Sequence, residues 1–280
     1  MLKVTEAGYY KALRTARKPR THASLSAVIY EILKEDEENV NYGIRRIYLA
    51  LKNNRAYTGS YRTVVRICHE NGLAIKKKRR PNGITHADRD AEKSENLIKQ
   101  DFTAEKPNEK WLTDITEIPC RDAKLYLAPV LDCFDGAIVG MHTDTSRPAG
   151  LCCRAFENAC RKTGASGMIL HSDRGSQYTS AEFRETLARH MAVQSMSGVG
   201  RCYDNARMES FFATLKKERL YRMDTLKMTV AEVRSVVYRY VAYYNLRRVY
   251  TANAGLPPLM KRRRFFREAA EMVHAAAAAA

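Results

Sequence analysis

The spacing of apolar positions changes along the chain and divides it. In residues 24–38, Leu25, Val28, Ile29 and Ile32 share one helical face, and Ile44, Ile47, Tyr48 and Leu51 form a second. The turn formers of NNRAYTGS interrupt the pattern before Tyr61, Val64, Val65 and Cys68 resume it at i, i+3, i+4 and i+7. Gly72 is placed to end that helix. Two short helices joined by such a turn predict a helix-turn-helix. From residue 110 the texture becomes strand-like, with KWLTDITEIP, KLYLAPVLDCF and, after a turn at Asp135–Gly136, GAIVGMHTD. These three read as an antiparallel meander. A helix over 149–163, a buried strand in GMILHSD, a helix in SAEFRETLARHM, a short strand in AVQSMS and a strong helix in RMESFFATLKKERLY follow. Thr179 and Glu182 read as a capping box at the start of the SAEFRETLARHM helix. Residues 226–247 are again helical. The order βββαβαβα predicts an α/β fold, a mixed sheet with helices on its faces. An all-α region precedes it and a helical extension follows.

Charge narrows the choice of partner. The chain carries 48 Lys+Arg against 31 Asp+Glu, a formal net charge of +17. That excess points to a polyanion, most simply nucleic acid, and away from an acidic small-molecule enzyme. A basic protein without such a partner is the alternative. The excess is densest over residues 1–90, with 19 Lys+Arg and 9 Asp+Glu. Arg62, Arg66 and His69 lie opposite the apolar face of their helix. They are either a surface that enters a major groove or a solvated basic face. Lys76, Lys77, Lys78, Arg79 and Arg80 are consecutive and run into Pro81. They read as a linker and a candidate phosphate-contacting strip.

No run approaches the roughly 18 apolar residues of a membrane span, and the first residues lack the apolar segment of a secretory signal. The seven cysteines are odd in number and contain no CxxC. Reduced thiols in a cytoplasmic protein are therefore expected, not a disulfide framework or zinc ribbon.

Within this basic chain a few acids sit on regular elements. Asp114 lies in the strand-like WLTDIT, Asp173 at the end of the apolar strand in HSDRGSQYTS, and Glu209 on the helix of DNARMESFFATLKKE. A strand, a strand end and a helix can converge at a sheet edge, and carboxylates there suit hard divalent cations. Two such ions about 3.5–4 Å apart activate an attacking oxygen and stabilise a leaving one. Composition does not select these three, and Asp132, Asp135, Asp144 and Asp204 are rivals.

The ordered strings WLTDIT, YLAPVLDCFDGAIVG, HSDRGSQYTS and QSMSGVGRCYDNARMESFFATLKKE closely resemble the integrase core of IS-three (insertion sequence three) family transposases. The likeness is to their second-reading-frame (orfB) type, within the DDE transposase and integrase superfamily. The 35 residues between Asp173 and Glu209 are the group's spacing, and Lys216, seven residues after Glu209, also fits. YGIRRIYLAL and RTVVRICHENGL resemble the helix-turn-helix that precedes the core. The likeness covers roughly residues 8–258. It implies an RNase H-like catalytic fold, with Asp114, Asp173 and Glu209 as catalytic and metal-binding residues and a two-metal Mg²⁺ site in which Mn²⁺ can substitute. It implies nicking at element ends followed by attack of a 3′-OH on another phosphodiester. It also implies contact with terminal inverted repeats and target DNA, through Lys216, Tyr203 and Asn205 as well as the basic residues above. A homo-oligomer, a first-frame (orfA) partner or fusion, no membrane, and a bacterial, nucleoid-associated location complete the expectation. There are two departures. The family's YN…R.H pattern keeps Asn245 and Arg248 but lacks the histidine, and Gly198–Val199–Gly200 stands where a polar or basic residue is common.

The resulting division is a helical arm at 1–39, a helix-turn-helix at 40–75, a basic linker at 76–107, the catalytic core at 108–221, a helical extension at 222–268 and a tail at 269–280. The alternatives to an active transposase are a catalytically inactive, transposase-derived DNA-binding regulator and a nuclease that only hydrolyses.

Overall fold

The computed structural model describes residues 5–7, 10, 23–73, 94–198 and 202–278. The chain forms two compact units, Met1–Lys78 and Arg79–Ala280.

In the first unit, helix α1 (Ala23–Lys34) leads through a short 3-10 turn to α2 (Ile44–Asn54) and α3 (Tyr61–Glu70). Ile29, Ile32, Ile47, Leu51, Val64, Ile67 and Cys68 are all buried, so the apolar stripes read from spacing form one small core. Ser60 caps α3, its hydroxyl accepting from Thr63 N at 3.2 Å. Gly72, at φ +67°, closes the other end, where Leu73 N reaches back to Cys68 O. This is a helix-turn-helix arrangement.

The second unit is built on a six-stranded mixed sheet. Strands β1 (Lys110–Thr113) and β2 (Thr116–Pro119) lie end to end along β3 (Lys124–Asp132), both antiparallel to it. β4 (Ile138–Asp144) pairs with the other edge of β3. β5 (Ile169–Ser172) runs parallel to β1, and β6 (Val193–Met196) parallel to β5. The run KWLTDITEIP is thus two strands, broken at Asp114–Ile115. Pairs Thr113↔Val130 and Thr116↔Leu127 belong to one register, so Asp114 falls opposite Pro129. Proline has no N–H to give to a ladder, and β1 and β2 part opposite it while β3 runs on.

Alternation along β3 sends Ala128 and Val130 to one face. There α4 (Ala149–Thr163) and α6 (Ala181–Arg189) cover them with Leu151, Phe156, Phe183 and Leu187. Gly140 on β4 permits that packing: a Cβ there would lie 2.5 Å from Ala159 on α4. A single turn, α5 (Ser176–Thr179), precedes α6. The cap of α6 is Ser180, whose hydroxyl accepts from Phe183 N, not Thr179, which ends α5. The other face packs α7 (Ala206–Glu218) against β1, and α8 (Val230–Leu246) against β3 and β4. The capping box that does form belongs to α8, between Thr229 and Glu232. Helix α9 (Pro258–Ala278) continues through the stretch read as a tail. Alanine has the highest helix propensity, so its run extends the helix.

Candidate active site

Two parallel strands bring the first carboxylates together. β1 and β5 pair as Lys110↔Ile169, Trp111↔Leu170 and Leu112↔His171. Two residues further along the same register, Asp114 lies beside Asp173, on neighbouring chains roughly 5 Å apart. Each leaves its strand at that point, and each carboxylate accepts one backbone N–H. Ile115 N donates to Asp114 Oδ1 at 2.7 Å, and Gly175 N to Asp173 Oδ1 at 3.0 Å. Among the described residues neither is ion-paired. Burial pushes the Asp114 carboxyl up to about 7, aided by the nearby charges of Asp173 and Glu209 and opposed by the Ile115 amide and Lys216. Asp173 is also raised by burial, against the Gly175 N–H and the Arg147 cation.

Glu209 sits in the first turn of α7 and is exposed. Partial desolvation raises its carboxyl. Its charge reaches Asp114, but among the described residues no three His, Cys, Asp or Glu side chains converge into a set that could hold a metal ion. The fold pairs Asp114 with Asp173, and Glu209 is near enough for its charge to raise Asp114. The donors present suit a hard cation. His171, two residues before Asp173, is fully buried and faces Ser195 Oγ at 2.8 Å and Ser197 Oγ at 3.2 Å. Burial holds it down at about 4, so its ring is neutral. Asn205, directly before α7, is buried and donates through Nδ2 to Thr113 O at 3.1 Å, while its Oδ1 has no partner among the described residues. A buried acceptor without a donor, one residue from an anionic pair, fits a hydrated divalent ion.

Next to the carboxylates lie buried side chains. Tyr178 is buried, its hydroxyl 3.3 Å from Thr113 Oγ1, which in turn donates to Pro129 O at 2.9 Å. Lys216 is half-buried and close enough to lower Asp114, whereas Lys217 is exposed.

The four rival acids are otherwise engaged. Asp132 and Asp135 are fully buried at the β3–β4 turn and both bind Arg262 of α9. Asp204 accepts from Asn96, Gln100 and Gly198 N. Asp144 holds its own turn through Thr145 N and Ser146 N. One residue was missed by sequence reasoning: Arg147, whose charge lowers Asp173 and whose guanidinium lies 5.5 Å from the Tyr126 ring centroid. Nothing in SRP singles it out, because its nearness to Asp173 depends on two distant loops.

In the first unit Arg62, Arg66 and His69 are exposed on α3, opposite buried Val64, Ile67 and Cys68. Lys76, Lys77, Lys78, Arg79 and Arg80, the Val199–Gly200 pair and the side chain of Tyr203 lie outside the described residues.

Family models described as "Integrase core domain" match residues 104–202 and 192–258, and one described as "HTH-like domain" matches residues 21–81. The chain is 33% identical to the putative transposase InsK for insertion sequence element IS150 of Escherichia coli K12, over 90% of this chain and 87% of that protein. It is 31% identical to the transposase InsF for insertion sequence IS3A of the same organism, over 92% and 90% of the two chains. Among solved structures, it is similar to the catalytic core domain of HTLV-2 integrase in complex with magnesium. That likeness has a TM-score of 0.45 and 19% identity, over 57% of this chain and 99% of that one. A second is a chain of the simian T-cell lymphotropic virus intasome, with a TM-score of 0.49 and 17% identity, over 79% of this chain and 70% of that one.

Proposed function

The chain belongs to the IS3-type insertion-sequence transposases, and on that premise we propose that it nicks DNA at the ends of its element and joins the freed 3′-OH to a second phosphodiester. Asp114, Asp173 and Glu209 hold two Mg²⁺ ions in this reading, and Mn²⁺ can replace them. The observation that carries it is the β1–β5 register. By that register two half-buried carboxylates lie side by side, and among the described residues neither has an ion-pair partner. When bound, the ions activate the attacking oxygen and stabilise the leaving one.

The remaining work is positioning and charge. Lys216, on the same face of α7 as Glu209, anchors a phosphate beside Asp114. Arg147 does the same beside Asp173 from the opposite loop. The buried Tyr178–Thr113 floor excludes water from below. Glu209, exposed before DNA arrives, completes the ligand set only when substrate and metal enter. In the first unit Arg62, Arg66 and His69 face the major groove of the element end, and the basic strip at 76–80 follows its phosphates. Two ends must be held at once, so more than one copy acts, with or without a first-frame partner, on the bacterial nucleoid. Among the described residues, no helix is long and apolar enough to cross a membrane.

Labelled element ends incubated with protein and Mg²⁺ test the reading. Joined products support it. Binding without cutting would favour the regulator, and cut but unjoined ends the hydrolytic nuclease.

A further inference from the structure

The helix that carries Glu209 is tied down on its far side by an ion pair that the chemistry does not use. Glu218, at the end of α7, accepts from Arg248 Nε at 2.9 Å and Nη2 at 2.8 Å, and from the Tyr240 hydroxyl at 2.9 Å. All three residues are buried. The Arg248 guanidinium also lies 5.4 Å from the Tyr244 ring centroid. Tyr240 and Tyr244 belong to α8, and Arg248 follows directly after it. At 100° per residue, Glu218 projects about 180° from Glu209, nine positions earlier, while Lys216 projects within about 20° of it. One face of α7 therefore looks toward the carboxylate pair, and the opposite face grips α8.

Helix α8 is itself fixed to the sheet. Asn245 acts as a piece of strand: its Oδ1 accepts from Ile138 N and its Nδ2 donates to Ile138 O, both at 2.9 Å. A continuous path thus runs from β4 through Asn245 to α8, and through Arg248 to Glu218 on α7. The other end of α7 is held by Asn205 on Thr113 O and by Arg207 on Phe102 O and Cys133 O. Apolar contact alone, such as Phe211 edge-on to Tyr244 at 5.1 Å, would hold the two helices together but tolerate sliding. A two-pronged guanidinium–carboxylate contact fixes both distance and angle. A buried ion pair is weak evidence for stability, because apolar residues of similar volume often serve as well. What it adds is register.

We propose that the Glu218–Arg248 pair, with Tyr240 and Asn245, is a positioning device through which the C-terminal helix α8 sets where α7 presents Glu209 and Lys216 to Asp114. This rests on the reading of Glu209 as a metal ligand. It makes the YN…R part of the C-terminal segment a part of the active site's framework. These are positioning residues, since none touches the reacting atoms.

The test replaces the pair by apolar side chains, E218M together with R248M, and separately keeps the charge but removes the fork with R248K. Thermal unfolding, Mn²⁺ affinity by electron paramagnetic resonance and strand transfer are measured on the full chain, with E209Q alongside. Expected is an R248M/E218M protein whose Tm stays within about 5 °C of the parent, with Mn²⁺ affinity and kcat each reduced roughly tenfold or more and KM for element-end DNA unchanged. R248K should show the same split, which also serves if the double variant does not fold. Parental Mn²⁺ affinity and kcat in R248K would overturn the proposal, as would parental values in a folded double variant. If E209Q also leaves Mn²⁺ affinity and strand transfer intact, the reading of Glu209 fails. If E209Q abolishes them while R248K is silent, only the positioning role fails.

Discussion

The two ends of the central strands hold the same residue type in opposite circumstances. At the β3–β4 turn, Asp132 accepts from Asn108 N, Trp111 Nε1, Phe134 N and Arg262. Its neighbour Asp135 accepts from Ala137 N and Arg262. At the other end, Asp114 and Asp173 have one backbone N–H each and face one another. Burial raises carboxyls at both ends, those of half-buried Asp114 and Asp173 and that of fully buried Asp135, where it works against the pull of Arg262. What separates them is the fixed cation. A carboxylate that holds a fold is given a permanent counter-charge. In the proposed reading, a pair left without an ion-paired partner is the place for a cation that comes and goes.

The largest expected effect breaks this symmetry outright. Asp114→Asn and Asp173→Asn each remove a charge with almost no change of shape, and should cut strand transfer about a thousandfold or more, roughly 4 kcal/mol. They should leave Tm unchanged or raise it, because like-charge repulsion is relieved. A Tm fall with retained activity in either variant would place that residue with the structural acids.

Arg262→Met is the converse. It strands two buried carboxylates and should cost about 3–5 kcal/mol of stability, read by denaturant unfolding. A loss below about 1 kcal/mol, within the range of exposed pairs, would mean that the far end is not held by its counter-charge.

Acid sharpens the contrast next. Because the folded Asp114 carboxyl stands near 7, a proton competes with metal there. Mn²⁺ affinity should fall as pH drops from 8 to 6, approaching tenfold per unit below 7. The sign for stability follows from the same elevation. In metal-free protein, the contribution of Asp114 is present below its unfolded value of about 4 and is lost as pH rises through 7. Metal affinity flat across that range would contradict both statements.

The smallest effect concerns the rim. Lys216→Ala should weaken strand transfer about tenfold, near 1.4 kcal/mol. Lys217→Ala, rotated about 100° away, should do little. Arg147→Ala should raise KM for DNA severalfold, with a salt slope shallower by about one. Equal behaviour of the two lysines would remove Lys216 from the phosphate path.

Much of this architecture was legible in sequence. Helical spacing located the α3 face, and the strand-like texture of three successive runs located the meander. The break at Asp114 was not legible, because WLTDIT reads as uninterrupted strand. Its opposition to Pro129 depends on a register set by the intervening turn. Thr179 and Ser180 are adjacent hydroxyls, and only the backbone decides which one caps. Asp114, Asp173 and Glu209 emerged from 31 acids by family resemblance, since periodicity carries no mark of charge left uncompensated. The Glu218–Arg248 pair spans 30 residues, and Arg262 reaches back 130 to Asp132. Such long-range pairs leave no local pattern, and here they mark the carboxylates that carry a fixed counter-charge.

The most direct measurement is a carbon-13 NMR titration of the Asp114 carboxyl in metal-free protein, repeated with saturating Mg²⁺. The Asp114 carboxyl should titrate near 7 without metal and fall below the ordinary carboxylate range of about 4 when Mg²⁺ is present. An ordinary value unmoved by Mg²⁺ would contradict it.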